Sequence, residues 1–270
     1  MIHIASPGVG NDGSELRSNL MASSRPVGEE LCRVKCVEAH VQPDSRLVVY
    51  SDPYSMEADK YRTLRVYLRS LSKSSGIQSL MVTSAVMGEG KSVSSLNLAV
   101  SLAEHGVSRV ILVEADIRNP TIEKRLGMES RPGLSQCLSD GSDCVDSLRY
   151  ITNLGIYALT AGGVCTNPIQ MLNSERFSGV MQRLCHLADW VILDCPPVNP
   201  VPDTLAIRGN VDGCIWVVKS NVTSRIIVED AIQKIGRERM LGIILNEVET
   251  VEAIYRPYYS YAPLMLGPGQ

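Results

Sequence analysis

The sequence is poor in aromatic residues. Aromatic side chains make up 5% of the 270 residues, and Phe177 is the only phenylalanine. The core must therefore be built mostly from aliphatic side chains, which suits a buried parallel sheet. With 44% hydrophobic and 20% charged residues, the composition is still that of a folded globular protein.

Long apolar runs and an excess of charge of one sign are missing as well. No apolar run approaches the roughly 18–20 residues that cross a bilayer, and the N-terminal MIHIASPGVG lacks the cationic and apolar regions of a signal peptide. We therefore expect a cytoplasmic protein. The net charge of −3 creates no general field for a polyanion, so no nucleic-acid partner is expected.

Short apolar segments alternate with helical patterns over most of the chain. Six segments read as strands: 79–85, 109–115, 154–160, 190–194, 213–219 and 241–248. Helices are expected from Ser55 to Gly76, from Ser92 to about His105, and near 175–187 and 225–236. This order predicts an α/β fold, a doubly wound and mostly parallel sheet flanked by helices, with any ligand at the carboxyl ends of the strands.

Both ends of the chain differ from this middle part. Residues 1–45 show no sustained periodicity and are expected to form a flexible N-terminal tail, with a short strand around Leu47–Tyr50 after it. Residues 251–270 carry Pro257, Pro263 and Pro268 and are expected to form a second tail. The domain between them is placed at 46–250.

The first strand leads into a candidate phosphate-binding loop. The segment from Val86 to Ser92 reads VMGEGKS and lies between a strand and a helix, which is the context that such a loop requires. Backbone N–H groups of the loop would surround the β-phosphate, Lys91 would reach the β/γ oxygens, and Ser92 would hold Mg²⁺. Ala85 stands where the motif normally begins with glycine.

Acidic residues follow two other strands. Glu114 and Asp116 are two positions apart at the end of ILVEAD, so their side chains leave the same face of an extended segment. Asp194 ends the strand WVILD immediately before two prolines. Because these strand ends meet at one edge of a parallel sheet, the three acids are candidates for the metal shell and for activating the attacking group.

The order of these segments resembles one family. The segments DKYRTLR, TSAVMGEGKS, ILVEADIRNP, GLSQCL, NPIQMLNSERF, WVILDCPPVNPVPD and GIILN follow one another over about residues 46–250. In this order they resemble the bacterial tyrosine kinases of capsular and exopolysaccharide synthesis, in their stand-alone cytosolic form. The resemblance implies a P-loop NTPase fold of the Walker A/A′/B type and an ATP- and Mg²⁺-dependent protein-tyrosine autokinase that regulates polysaccharide synthesis and export.

The resemblance also implies residue roles. Lys91, Glu114, Asp116 and Asp194 would be catalytic, with Glu114 or Asp116 positioning the acceptor hydroxyl or taking its proton, and Ser92, Asp116 and Asp194 would hold the metal. The nucleotide would contact Gly88, Glu89, Gly90, Lys91, Ser92 and Val93, and Asn246 by its position. Residues 46–75 would form an oligomerisation arm through Asp59, Arg62 and Arg65, which stand where the family has E-x-x-R-x-x-R.

Partners and a substrate follow from the same resemblance. The partners would be further copies in a ring, a membrane-spanning activator of the chain-length-determinant type in a separate chain that recruits the kinase to the inner membrane face, and a cognate tyrosine phosphatase. The family phosphorylates its own C-terminal tyrosine cluster. Here the cluster consists of Tyr255, Tyr258, Tyr259 and Tyr261, which place four of the ten tyrosines in seven consecutive positions.

Two other classes stay open at this point. A partition- or positioning-type ATPase shares the fold and the second Walker motif, but its loop needs a second lysine where this chain has Val86. A catalytically weak, ATP-binding scaffold of a polysaccharide export machine is the other alternative. Its support is Glu114, which is one methylene longer than the usual first aspartate of the family's D-x-D motif.

Overall fold

A computed structural model describes residues 2–3, 30–163, 165 and 167–248. Its strands are β1 (Ile2–His3), β2 (Lys35–Val37), β3 (Ser79–Ser84), β4 (Val110–Glu114), β5 (Arg149–Ile151), β6 (Ile156–Leu159), β7 (Trp190–Asp194), β8 (Gly213–Lys219) and β9 (Met240–Asn246). Its helices are α1 (Val48–Ser51), α2 (Met56–Ser75), α3 (Lys91–Ala103), α4 (Ile122–Arg125), α5 (Leu134–Ser139), α6 (Cys144–Ser147), α7 (Pro168–Leu172), α8 (Glu175–Leu187), α9 (Asp203–Ile207) and α10 (Arg225–Ile235).

The strands form a single sheet in the order β1-β9-β8-β3-β7-β4-β6-β5-β2. Neighbouring strands run parallel except β1 against β9 and β5 against β6. The predicted doubly wound, mostly parallel sheet is therefore confirmed, and all six expected strands are present. Strands β3, β7 and β4 lie at the centre of the sheet. Because these three neighbours run parallel, their carboxyl ends meet at one edge.

Helices cover both faces of the sheet because the buried strands alternate their side chains between two apolar clusters. Met81 of β3 joins the cluster under α8 and α10, together with Phe177 and Leu184. Its neighbours Leu80 and Val82 point to the other face and join the cluster of α2 and α3. Each central strand is thus buried on both sides, as its continuous apolar sequence indicated.

Helix α2 begins and ends where its sequence predicts. The Ser55 hydroxyl accepts the N–H of Ala58, which caps the first turn, and Gly76 takes the left-handed conformation with φ 68° after the last turn. Leu64 and Leu68 are fully buried against the sheet side of the helix. Helices α3, α8 and α10 likewise begin and end within two residues of the expected positions.

The segment expected as a strand at Leu47–Tyr50 is instead the short helix α1. The Asn97 side chain of α3 accepts the N–H of Val49 and donates to the carbonyl of Arg46, while Ser51 N–H closes the turn on the Leu47 carbonyl. These contacts satisfy the backbone in a helical turn. They override the preference of the two valines for extended structure.

The structure also differs from the prediction in the last third of the N-terminal segment, which was expected to be a flexible tail. Residues 35–37 form β2, which pairs with β5 as the last strand of the sheet, and Leu31 and Val34 are buried beside it. Ala39 is fixed through its N–H and carbonyl by the Asn153 side chain. The sequence did not indicate this pairing, because a strand of three residues is too short for a period to appear. Residues 4–29 lie outside the described part of the chain, and so do the second tail and its four tyrosines.

Candidate functional site

The candidate phosphate loop connects β3 to α3 as expected. Gly88 and Gly90 adopt φ values of +80° and +94°, which disfavour residues with a Cβ atom. A Cβ on Gly90 would also lie 2.2 Å from Nδ2 of Asn246. The loop conformation therefore depends on glycine at this position, both for its backbone angle and for the close packing of β9.

The loop is held from inside by its own acidic residue. Glu89 is 1% exposed, and its carboxylate accepts the N–H of Val86 at 3.0 Å and that of Lys219 at 3.3 Å. The Asn246 side-chain amide donates to the carbonyl of Glu89 at 2.9 Å. Glu89 therefore shapes the loop, and only its backbone N–H is left to face a ligand.

Lys91 and Ser92 begin helix α3 and lie next to two of the predicted acids. Burial raises the pKa of both the Asp116 and the Asp194 carboxyl, and the nearby Lys91 charge opposes this shift in each; a hydrogen bond from the Ser92 hydroxyl opposes it further at Asp194. Lys91 itself is 8% exposed. The structure thus brings the loop and the ends of β4 and β7 together, as the sequence predicts.

Asp194 is a deeply buried acid at the end of β7. Its residue is 1% exposed on the central strand β7, and its Oδ1 atom has no hydrogen-bond partner. Burial raises the pKa of the Asp194 carboxyl to about 7, against the hydrogen bond from Ser92. A buried carboxylate oxygen without a partner is costly, which indicates that this atom faces a ligand or a cation.

Asp116 lies just beyond the end of β4. Its backbone N–H and that of Ala115 both donate to the Asp194 carbonyl, at 3.0 and 2.9 Å. Burial raises the pKa of the Asp116 carboxyl, and the nearby Lys91 charge opposes this shift. Asp116 is therefore fixed relative to Asp194 through the backbone, and its Oδ1 accepts the N–H of Asn119 at 3.2 Å.

Glu114 behaves differently from the other two acids. Its Oε1 accepts the N–H groups of Thr121 at 2.5 Å and Ile122 at 2.7 Å, and its Oε2 accepts that of Ala161 at 3.0 Å. Burial raises the pKa of the Glu114 carboxyl, and these three hydrogen bonds oppose the shift. The side chain thus contacts backbone on both of its oxygens, an arrangement that the sequence did not predict.

The sequence did not indicate that Asp203 is the partner of Arg118 at this edge of the sheet. Arg118 forms a bidentate ion pair with Asp203 of α9, at 2.5 and 3.0 Å, and Asp203 is 1% exposed. The available signal was the aspartate at the end of the proline-rich PPVNPVPD, since a buried carboxylate needs a partner. This pair fixes the loop after β4 to the segment after β7.

Two cavities open beside the site. One, of about 250 Å³, is lined by residues that include Arg46, Tyr61, Val93, Asn97 and Asn246. The other, of about 310 Å³, lies between the loops after β4 and β6 and is lined by residues that include Arg118 and Gly162. Val93 and Asn246 thus share one cavity, as their common assignment to a nucleotide site implies.

The predicted oligomerisation residues lie on α2 and make contacts within the chain. Arg62 pairs with Asp59 at 2.5 Å and donates to the carbonyl of Pro53. Arg65 donates to the Ser101 carbonyl at 3.0 Å and pairs with Glu104 at 3.1 Å, which joins α2 to α3.

None of the helices in the described ranges is long and apolar enough to cross a membrane.

Several known proteins are similar in sequence. The tyrosine-protein kinase YwqD of Bacillus subtilis is 30% identical over 202 residues, which cover 74% of this chain and 85% of the relative. The putative tyrosine-protein kinase CapB of Staphylococcus aureus is 28% identical over 80% of this chain and 95% of its own. The succinoglycan biosynthesis transport protein ExoP of Rhizobium meliloti is 27% identical over 77% of this chain but only 27% of its own length. No family model matches the sequence.

Solved structures give the same relationship. The crystal structure of the chimerical protein CapA2B2 superimposes with a TM-score of 0.71 at 29% identity, over 79% of this chain and 95% of its own. The septum site-determining protein MinD of Pyrococcus horikoshii superimposes with a TM-score of 0.55 at 20% identity, over 66% of this chain and 76% of its own. The second similarity concerns the fold alone.

The buried Asp194 should make the stability of the ligand-free protein depend on pH. Its pKa of about 7 means that the folded state keeps a proton that the unfolded state has lost, so the free energy of unfolding falls as pH rises from about 4 to 7. Asp194→Asn removes this contribution. Its melting temperature relative to the parent should therefore be higher at pH 8 than at pH 5 in thermal unfolding without nucleotide or metal. An equal difference at both pH values would contradict this ionisation.

The loop and the acids after β4 and β7 thus occur together in a chain that shares 30% identity with most of a tyrosine-protein kinase. The similarity to MinD adds only the shared fold, whereas the tyrosine-protein kinases match in sequence over most of their length. The chain belongs to the family of bacterial tyrosine-protein kinases.

Proposed function

We propose that this kinase transfers the γ-phosphoryl group of ATP to its own C-terminal tyrosines and thereby regulates the synthesis and export of capsular or extracellular polysaccharide. The observation that carries the proposal is the convergence of Lys91, Ser92, Asp116 and Asp194 at one sheet edge, with Asp194 Oδ1 buried and unpaired. The relative ExoP, named for succinoglycan biosynthesis and transport, supports the biological role.

The loop and Lys91 would bind the phosphates. The backbone N–H groups from Gly88 to Lys91 and the N-terminus of α3 favour an anion at this point. The Lys91 ammonium would neutralise charge that develops on the oxygens of the transferred group. No covalent intermediate is required, because the residues act by positioning and by charge.

The residues present fit a magnesium ion. The unpaired Oδ1 of Asp194 and the Ser92 hydroxyl supply the hard oxygen ligands that Mg²⁺ prefers, and the Asp116 carboxylate would hold the ion through a water ligand, which leaves it able to accept a proton. No group of three His, Cys, Asp or Glu side chains in the described part of the chain could hold a metal alone, so phosphate and water oxygens would complete the shell. When bound, the ion would neutralise charge on the phosphates.

The base of the nucleotide would occupy the cavity of about 250 Å³ beside the loop. Val93 and Ile244 give this cavity apolar walls, and Asn246 is fixed at its rim by the hydrogen bond to Glu89. The Asn246 amide would then contact a polar edge of the base. Asp116, next to Lys91, would orient the hydroxyl of the acceptor tyrosine and take its proton.

Lys91→Met should abolish autophosphorylation while the protein stays folded. The change removes a charge from the phosphate site without opening a cavity in the core, so the melting temperature should stay within a few degrees. The measurement is a phosphotyrosine immunoblot after incubation with ATP and Mg²⁺, with Lys73→Met at the exposed end of α2 as the matched control. Substantial phosphotyrosine in Lys91→Met would refute the proposed phosphate site.

The acceptor is proposed to be the cluster of Tyr255, Tyr258, Tyr259 and Tyr261. Strand β9 ends at Asn246, beside the loop, so the chain leaves the described domain at the edge that carries the site. From Val248 to Tyr255 an extended chain reaches at most about 25 Å. Tyrosine tails crowded in a ring would repel one another once phosphorylated, since each phosphate adds roughly −1.5 to −2 charge.

Deletion of residues 254–270 should therefore remove most autophosphorylation and leave nucleotide binding unchanged, because the tail contributes acceptors and no described site residue. Mass spectrometry of the full chain should place the phosphate mainly on the four tail tyrosines. Phosphate mainly on Tyr50, Tyr54, Tyr61, Tyr67, Tyr150 or Tyr157 would rule out the tail as the substrate.

Helix α2 is proposed to build a head-to-tail ring through Asp59, Arg62 and Arg65, so that each tail meets a neighbour's site. Arg62 is the better test residue. Its side chain is 33% exposed, whereas that of Arg65 is 19% exposed and ties α2 to α3. Arg62→Glu should lower the mass in light-scattering chromatography, with Lys73→Glu on the same helix unchanged. An unchanged mass would assign Arg62 to contacts within the chain alone.

Recruitment to the inner membrane face is proposed to require a membrane-spanning activator of the chain-length-determinant type in a separate chain. ExoP supports this, because the present chain matches only 27% of that transport protein. A cognate tyrosine phosphatase would reset the cycle. Phosphotyrosine that does not increase when the activator's cytoplasmic segment is added would argue against this partner.

A further inference from the structure

The cavity of about 310 Å³ beside Asp116 has two walls from different parts of the chain. The first wall is the loop after β4 and contributes Ile117, Arg118 and Pro120. The second is the segment after β6, which contributes Gly162 and Gly163. A volume near the lower end of the usual range of roughly 300–1,000 Å³ suits a single side chain better than a whole nucleotide.

The Glu114 carboxylate holds both walls. Its Oε1 accepts the N–H groups of Thr121 and Ile122, directly after the first wall, at 2.5 and 2.7 Å. Its Oε2 accepts the N–H of Ala161, directly before the second wall, at 3.0 Å. The Glu114 side chain thus joins the loops after β4 and β6 from inside, and the hydrogen bond from the Thr160 hydroxyl to Glu123 at 2.8 Å is a second link between the same segments.

The length of this side chain suits its place between the two walls. An aspartate would be one methylene shorter, and from the same backbone position its carboxylate would retreat from the donors. Glu114 is also only 1% exposed, and two N–H groups already occupy Oε1. These features are expected of a structural anchor and leave little room for a tyrosine hydroxyl to approach.

The residues that line the cavity suit an aromatic ring. Ile117 and Pro120 offer apolar surface to a ring, and Arg118 is fixed at the mouth by its ion pair with Asp203. A guanidinium favours contact with an aromatic face. Asp116 directly precedes the first wall, so a ring in the cavity would bring its hydroxyl near the phosphate site.

We propose that Glu114 is a positioning residue that holds open the cavity for the acceptor tyrosine, and that it does not take the proton itself. This inference rests on the proposed tyrosine autokinase function. It assigns the longer side chain at this position a physical role, because a carboxylate at that depth must reach backbone donors on both walls. The proton then passes to Asp116.

Steady-state kinetics distinguish a positioning residue from a base. The acceptor is the full-length Lys91→Met chain, which keeps its own tail, and the enzyme carries Glu114→Gln or Glu114→Asp. Glutamine keeps the length of the side chain but places its NH₂ group, a donor, opposite the Ala161 N–H. Aspartate keeps the negative charge, but its carboxylate is too short to reach the backbone donors on both walls. Both should raise KM for the acceptor about tenfold or more, with KM for ATP within about threefold and kcat within about tenfold.

The matched control is Asp212→Asn at the opposite edge of the sheet. The Asp212 Oδ2 also accepts three hydrogen bonds, from the N–H groups of Gln78 and Ser79 and from the Ser79 hydroxyl. This variant should lose stability without changing KM for the acceptor. A kcat loss of about 10²-fold or more in Glu114→Gln, as expected for a base, would overturn the proposal, and so would an unchanged acceptor KM in either Glu114 variant.

Hydrogen exchange tests the anchor without requiring activity. In Glu114→Gln, the amides of residues 115–119, 121, 122, 161 and 162 should exchange faster than in the parent, and in Asp212→Asn they should not. Unchanged exchange at either wall would overturn the anchoring role. A parent enzyme that makes no phosphotyrosine would instead refute the proposed function and the acceptor assignment, while exchange would still decide whether Glu114 joins the walls.

Discussion

A carboxylate is buried at the centre of this fold without a full set of hydrogen-bond partners. Asp194 ends the middle strand of the sheet, between the strand that leads into the phosphate loop and the strand that leads to Asp116. An ionised carboxylate in such a place is unfavourable unless charge or hydrogen bonds compensate it. Lys91 and Ser92 supply part of that compensation. The remaining unpaired oxygen is the strongest physical indication that the site is built around something the chain itself does not contain.

The surrounding hydrogen bonds show how the fold keeps this arrangement rigid. The Asp194 carbonyl accepts the N–H groups of Ala115 and Asp116, and the segment after it donates back to the carbonyls of Ser84 and Ala85. The three strand ends are therefore joined by backbone contacts, which do not depend on any ligand. Glu89 holds the loop in the same manner, by occupying its interior with a carboxylate. A site for phosphoryl transfer gains from this rigidity because its catalysis depends on position and charge.

The fold could be predicted from the sequence wherever a segment was long enough to show a hydrophobic period. Short segments, and segments fixed by contacts with distant residues, could not be predicted in this way. Six strands and four helices follow directly from apolar runs, from the serine cap of α2 and from Gly76. The turn at Val48–Ser51 could not be predicted, because the Asn97 side chain that fixes it lies on a helix far along the chain. Strands β2 and β5 are three residues each, too short for a period to appear. Lys91 and Ser92 were identified from the loop motif between a strand and a helix, and Asp116 and Asp194 because the ends of parallel strands share an edge. The bonds of Glu114 were missed because strand alternation gives only the face of a side chain, and the backbone donors come from loops.

The most direct measurement for the whole account is a crystal structure of the protein with Mg²⁺ and a non-hydrolysable ATP analogue. The account predicts the cation at about 2.0–2.1 Å from the Ser92 hydroxyl, with Asp194 Oδ1 turned toward its coordination shell. It also predicts the Glu114 carboxylate still bonded to the N–H groups of Thr121, Ile122 and Ala161. A cation bound elsewhere, or a Glu114 side chain released from these bonds and directed at the γ-phosphate, would contradict it.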